Sequence, residues 1–311
     1  MCKFASTFPS MGTTGIKYDV TAVIVTLIWG GTFINTRLLI DNGVAAHEIY
    51  FLRAGIAYTA LWLFCMASGR GMRVRSKTLR DEATFLLLGV TGGSLYFMTE
   101  NAAIGMTVVT NVSFIVSSCP FFATLIAILF TKSLKANKNI MAGGLTAIAG
   151  LALVVFNGKF ILKLSPQGDM LAMAACLSWA VYSVVMRSVT ERYDAVMVTR
   201  KIFGYGLMTG APILLAKGWD CGWETLSKPV VAGNVVFLGL GPSFLCFLIW
   251  TKVIKEIGTV RATNYLYLNP VSTMVVSAVV LGEVVTPLAF IGAGLILAGI
   301  YISMKKPKEN A

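Results

Sequence analysis

The chain has 311 residues, of which 56% are hydrophobic and 13% charged, and its mean hydropathy is +0.76. Soluble domains carry about 25% charged residues, so lipid rather than water is the main solvent. At roughly 30 residues per crossing and loop, the length leaves no room for a soluble domain. Lys and Arg outnumber Asp and Glu by 26 to 14. They sit in short loops between apolar runs, not clustered on a soluble face as nucleic-acid binding requires. The bilayer is therefore an expected partner and nucleic acid is not. Cys65, Cys119, Cys176 and Cys246 lie inside apolar runs, where a thiol acts as a small hydrophobe. Neither a disulfide framework nor a metal spacing is offered, and no metal or cofactor is expected.

Ten apolar runs follow one another near 19–40, 48–67, 83–104, 107–131, 140–157, 169–188, 195–216, 233–251, 261–282 and 287–304. Residues 1–17 lack the order of a cleaved signal and read as a short tail. The first run carries Trp29 near its centre and the sixth carries Trp179. Membrane Trp prefers the headgroup belt, so two midplane indoles suggest aromatic walls on a central cavity or, alternatively, packing with the N–H on a carbonyl. Arg53 in the second run lies on the order of 8 Å deep by helical rise. Glu100, late in the third, sits at similar depth. Ionisable groups inside a membrane are functional candidates, and the two could equally form a structural ion pair. Tyr96 and Tyr182 are assigned to the same pathway.

In the fourth run Thr110, Ser113 and Ser117 share a helix face, ahead of Pro120. In the ninth, Tyr265, Asn269 and Ser272 do the same beside Pro270. Such stripes line water or bond another helix. Pro120, Pro270 and Pro242 are expected as mid-helix bends, each freeing the carbonyl four residues earlier. In the seventh run Arg200 is a pathway candidate, whereas Lys201 fits snorkelling to headgroups. The fifth and tenth runs are rich in small residues (Gly143, Gly144, Gly150, Gly292, Gly294, Gly299), which permit close helix approach.

Shifting the sequence by 150 residues superposes Asp19 on Asp169, Trp29 on Trp179, Arg37 on Arg187, Gly89 on Gly239, Phe97 on Phe247 and Pro120 on Pro270. Arg53 falls on Arg200 at a slightly shorter offset. Each half holds five runs, an odd number, so the second enters the membrane from the opposite side. The reading is an all-α integral membrane protein of ten transmembrane helices, arranged as two inverted five-helix repeats over 18–158 and 159–304. Such repeats commonly carry a midplane site and work by alternating access. Most Lys and Arg then fall on one side, which predicts that the 1–17 and 305–311 tails are cytoplasmic and that the protein is a multi-pass protein of a bacterial inner membrane.

With Leu27-Ile-Trp-Gly-Gly-Thr-Phe33, Arg53, Asn101-Ala-Ala-Ile-Gly105, Asn269-Pro270, Leu281-Gly282-Glu283 and the Gly-rich last run, the chain resembles the drug/metabolite transporter superfamily, specifically its EamA-type ten-helix exporters. The resemblance covers about 18–304. It implies that the fifth and tenth helices lie away from the pathway, in a structural role or a homodimer contact. The chain departs from the family at Lys132-Ser133, where a Gly-Glu pair is usual, and at Asn269, where Glu is frequent. Both departures remove carboxylates and weaken proton coupling as an inference from relatives. The function expected is secondary transport, as an exporter or facilitator, of small metabolites such as amino acids. The alternatives are a membrane-embedded enzyme, which would need a convergent catalytic constellation although His47 is the only histidine, and an assembly protein without flux, which the midplane polar and proline features oppose.

Overall fold

The computed structural model describes residues 13–70, 75–131, 138–156, 165–281 and 286–304. Residues 1–12, the 305–311 tail, Lys132-Ser133 and Gly282-Glu283 lie outside them, while 13–17, read from the sequence as tail, begin the first helix. Every regular element among the described residues is helical, as expected where only internal hydrogen bonds can satisfy the backbone. The elements are α1 (Thr13–Asp41), α2 (Ala46–Ser68), α3 (Leu79–Gly89), α4 (Leu95–Met106), α5 (Val109–Ser117), α6 (Cys119–Ile126), α7 (Lys138–Phe156) and α8 (Pro166–Thr190). They continue as α9 (Ala195–Lys217), α10 (Trp223–Leu226), α11 (Pro229–Leu238), α12 (Phe247–Ile257), α13 (Thr259–Asn264), α14 (Asn269–Leu281) and α15 (Pro287–Met304). Among the described residues, six stretches are long and apolar enough to cross a membrane: Gly15–Asp41, Ala46–Ser68, Asn111–Phe130, Pro166–Thr190, Pro229–Ile257 and Pro287–Met304.

Several passages change helical register partway. Val90–Ser94 joins α3 to α4 as a π turn, and Gly239–Cys246 joins α11 to α12 in the same way. The 3₁₀ turn Tyr265–Leu268 precedes α14, and Ser118 alone separates α5 from α6. These breaks correct the expectation of mid-helix proline bends. Pro120 stands in the first turn of α6 and Pro270 is the second residue of α14. In a first turn the missing N–H is not needed and the fixed φ suits the helix. Pro242 lies inside the second π stretch.

The two ends of the bundle are tied differently. At one, which we call the basic end, Arg261 forks onto Asp19 and joins α13 to α1. Nearby Asp81, only 1% exposed, accepts the Tyr193 hydroxyl at 2.7 Å and pairs with Arg192. The next residue, Glu82, holds the Lys201 ammonium at 2.5 Å and the Tyr205 hydroxyl. Lys201 therefore does not snorkel to headgroups, because a carboxylate from the neighbouring α3 reaches it first. At the opposite end Arg37 pairs with Asp41 at 2.9 Å and donates to the Ile104 carbonyl at 3.1 Å. Glu48, fully buried, accepts the Ala45 N–H at 2.9 Å and those of Asp220 and Cys221 at 2.6 and 2.7 Å, so one carboxylate both caps α2 and pins the loop after α9.

α7 and α15 pack through glycines running in opposite directions. A Cβ added to Gly150 would fall 2.5 Å from the Gly292 carbonyl oxygen, and one on Gly299 would fall 2.6 Å from that of Gly143. This approach admits no side chain, whereas a Cβ on Gly294 would meet nothing within 4 Å. We expect Gly150→Leu and Gly292→Leu to lose about 1–3 kcal/mol or fail to fold, with Gly294→Ala neutral, as thermal melts in detergent would show. A second test concerns pH. Burial raises the Glu82 pKa, but the Lys201 and Tyr205 hydrogen bonds win and hold it down to about 2 against 4.5. A depressed folded value means the stabilisation is present above about pH 4.5 and lost as pH falls through about 2. Across that window the melting temperature of the wild type should drop further than that of Glu82→Gln.

Candidate functional site

A pocket lies among the helices at the middle of the bundle. α1 supplies Trp29, Thr32 and Phe33, α2 supplies Arg53, α4 supplies Tyr96, Phe97 and Glu100, and α5 supplies Val116. Trp179 of α8, Phe247 of α12, and Leu266 and Asn269 around the start of α14 complete it. Six of the side chains singled out in the sequence thus share one cavity: Trp29, Arg53, Tyr96, Glu100, Trp179 and Asn269.

One wall is a continuous aromatic cluster. The Trp29 and Trp179 rings meet edge to face at 5.5 Å and 88°. Phe247 touches both, at 5.6 and 5.5 Å, and Trp250 backs Trp29 at 5.0 Å. Tyr96 and Tyr182 each lie 4.7 Å from Trp179. Edge-to-face packing sets the positive ring edge against a negative face and fixes the orientation of both indoles. The Trp29 N–H donates to the Pro242 carbonyl at 3.1 Å, an acceptor delivered by the π stretch. The Trp179 N–H, on a residue 4% exposed, has no acceptor among the described residues.

The charged groups face this aromatic surface. Arg53 donates from Nε to the Ser243 hydroxyl at 2.9 Å and lays its guanidinium 4.2 Å above the Phe97 ring. Its Nη1 is buried without a hydrogen bond among the described residues. Glu100 accepts the Tyr96 hydroxyl at 2.6 Å. No Arg53 nitrogen lies within the 4.0 Å of a Glu100 oxygen that an ion pair requires, so the two do not pair directly. Ser243 and Phe97 claim one, and Tyr96 claims the other. Both charges thus line the pocket without pairing with each other, and an unpaired buried charge is costly. The Asn269 side-chain oxygen, also unpartnered, adds a neutral acceptor.

Other expected residues fall elsewhere. Arg200 stacks 4.4 Å over Trp62 and donates to the Cys65 sulfur at 3.7 Å, in the α2–α9 contact rather than the pocket. Tyr265 sits beside the Asp19–Arg261 pair at the basic end. Ser113 and Ser117 are buried with unpartnered hydroxyls on either side of Val116, outside the lining. The Thr110 side chain is not among the described residues. Tyr182 stands behind Trp179, and Pro120 and Pro270, in the first turns of α6 and α14, are not in the lining. The α14 stripe is partly interhelical bonding: Ser272 donates to the Leu27 carbonyl at 2.5 Å and Thr273 to that of Gly30 at 2.6 Å. Sequence reasoning missed Ser243, Phe97 and Phe247 as site residues, although the last two superpose under the 150-residue shift.

A family model described as "EamA-like transporter family" matches the chain twice, over residues 16–156 and 166–305. A protein of Streptantibioticus cattleyicolor named "Probable terminal-alkyne amino-acid exporter" is 29% identical over 91% of this chain and 92% of its own length. An "Uncharacterized transporter" of Archaeoglobus fulgidus is 25% identical over 94% of this chain and 99% of its own. The "Uncharacterized inner membrane transporter YedA" of Escherichia coli is 24% identical over 89% and 87%. One crystal structure shares the fold at a TM-score of 0.75 and 19% identity, covering 95% of this chain and 99% of that one. With the family model matching across nearly all of its helices, the chain belongs to the EamA-like transporter family.

Proposed function

We propose that the protein is a secondary transporter whose ten membrane passages form two inverted repeats, 18–158 and 159–304, alternating access to the central pocket. Equivalent features recurring at matching positions support the repeat. α6 begins at Cys119 and α14 at Asn269, 150 residues on. π turns begin at Val90 and Gly239, and the i,i+4 pair Arg37–Asp41 recurs as Arg187–Glu191. The antiparallel glycine contact of α7 with α15 is what two equivalent helices related by a two-fold axis would make. The double match of the family model agrees.

The solutes best suited to the pocket are small zwitterions with an apolar body, such as amino acids. The observation that carries this is Arg53 and Glu100 lining one aromatic cavity without touching. Arg53, free at Nη1, receives the anionic group, Glu100 receives the cationic group, and the Trp29–Trp179–Phe247 wall covers the apolar body. The amino-acid exporter named above is consistent with this class. A location in a bacterial inner membrane follows from the same relatives and the apolar helices. The charge bias argues that the basic end is cytoplasmic.

Proteoliposome flux separates the two charge roles. Glu100→Gln should weaken apparent affinity for a transported amino acid about tenfold or more, the scale of a lost charged hydrogen bond, yet leave the N-acetylated analogue unaffected. Arg53→Gln should weaken affinity for the amino acid likewise, with the decarboxylated amine as the insensitive solute. Equal losses for parent and analogue would show that neither charge reads the solute. For orientation, Ser76→Cys in intact cells should resist an impermeant maleimide until the membrane is opened.

A further inference from the structure

We infer that the Trp29 and Trp179 indole N–H groups form a reciprocal switch, each holding one of the two access states by bonding the opposite repeat's π turn. The inference rests on the alternating-access reading above and goes beyond it to the bonds that define the states. Trp29 and Trp179 are equivalent under the 150-residue shift, and the same shift takes Gly92 to Pro242. In the state observed, Trp29 donates to the Pro242 carbonyl at 3.1 Å. The equivalent bond, from Trp179 to the Gly92 carbonyl, is not made: the Trp179 N–H is buried and has no acceptor among the described residues.

The unmade bond is within local reach, because α8 already packs on that π turn. Ser178, adjacent to Trp179, donates to the Thr91 carbonyl at 2.7 Å. The Tyr182 ring lies against Gly92, so closely that no Cβ would fit there. Inverted repeats allow the two states to be related by exchanging the conformations of the halves. On that exchange Trp179 gains the Gly92 carbonyl as Trp29 releases that of Pro242. A buried donor left unbonded costs free energy, so each state satisfies one indole and leaves the other short. The two states remain close in energy for that reason. The π turns are the elements suited to the exchange, since a π turn frees and re-aims carbonyls within a helix.

Side-specific labelling of Thr32→Cys, a pocket position, tests the exchange. Labelling rates with an impermeant maleimide are taken from right-side-out and inverted vesicles and corrected for the parent with native thiols only. Trp29→Phe removes the bond of the observed state and should shift the ratio of the two rates about fivefold, the scale of one neutral hydrogen bond. Trp179→Phe should shift it by a similar factor the other way, and the double variant should return near the parent. If either Phe variant fails to fold, benzothienylalanine at the same position removes only the N–H and keeps the ring shape. Shifts in the same direction, or no shift, would overturn the switch. So would weakened solute binding by Trp179→Phe at an unchanged ratio, which would assign that N–H to the solute. Labelling from one side only, in every protein including the parent, would instead remove the alternating-access reading itself.

Discussion

In an apolar layer a backbone carbonyl released from its helix must find a donor within the protein, because no solvent supplies one. The pocket is assembled around such releases. The π turn of Gly239–Cys246 offers the Pro242 carbonyl to Trp29 and the Ser243 hydroxyl to Arg53. The π turn of Val90–Ser94 offers the Thr91 carbonyl to Ser178. At the start of α14 Thr273 satisfies the Asn269 carbonyl at 3.0 Å while reaching across to α1. Each irregularity thus orients a side chain toward the cavity or fixes a helix beside it.

The same economy governs charge. Arg53 and Glu100 are almost completely excluded from solvent, and a buried charge is tolerable only when other groups satisfy it. Here each receives partial satisfaction from a neutral neighbour, Ser243 with Phe97 for the cation and Tyr96 for the anion. Arg200 shows the alternative outcome in the other half: a buried guanidinium settled on Trp62 and Cys65, serving packing between α2 and α9. The charged clusters at the basic end join α3 to the α8–α9 region and α1 to α13. They couple helices distant in sequence at one rim, as the Glu48 anchor does at the other.

The amino-acid sequence by itself determined that the chain is helical and apolar enough for a membrane, because composition and run length are set by the hydrocarbon solvent. It also marked Trp29, Arg53, Tyr96, Glu100, Trp179 and Asn269, since polar and indole groups inside apolar runs are conspicuous against Leu and Val. Only tertiary structure decided what these groups do to one another. Whether Arg53 met Glu100 depended on Ser243 and Phe97, residues far along the chain. Lys201 looked like a snorkelling residue until Glu82 arrived from α3. Arg53 and Arg200 match in the sequence, yet one faces a cavity and the other a Trp ring, because the aromatic neighbours differ. The prolines were legible as interruptions. Whether they bent a helix or began one depended on the 3₁₀ turn Tyr265–Leu268 before α14 and the break at Ser118. Those register changes are chosen by packing among helices, which local composition does not encode.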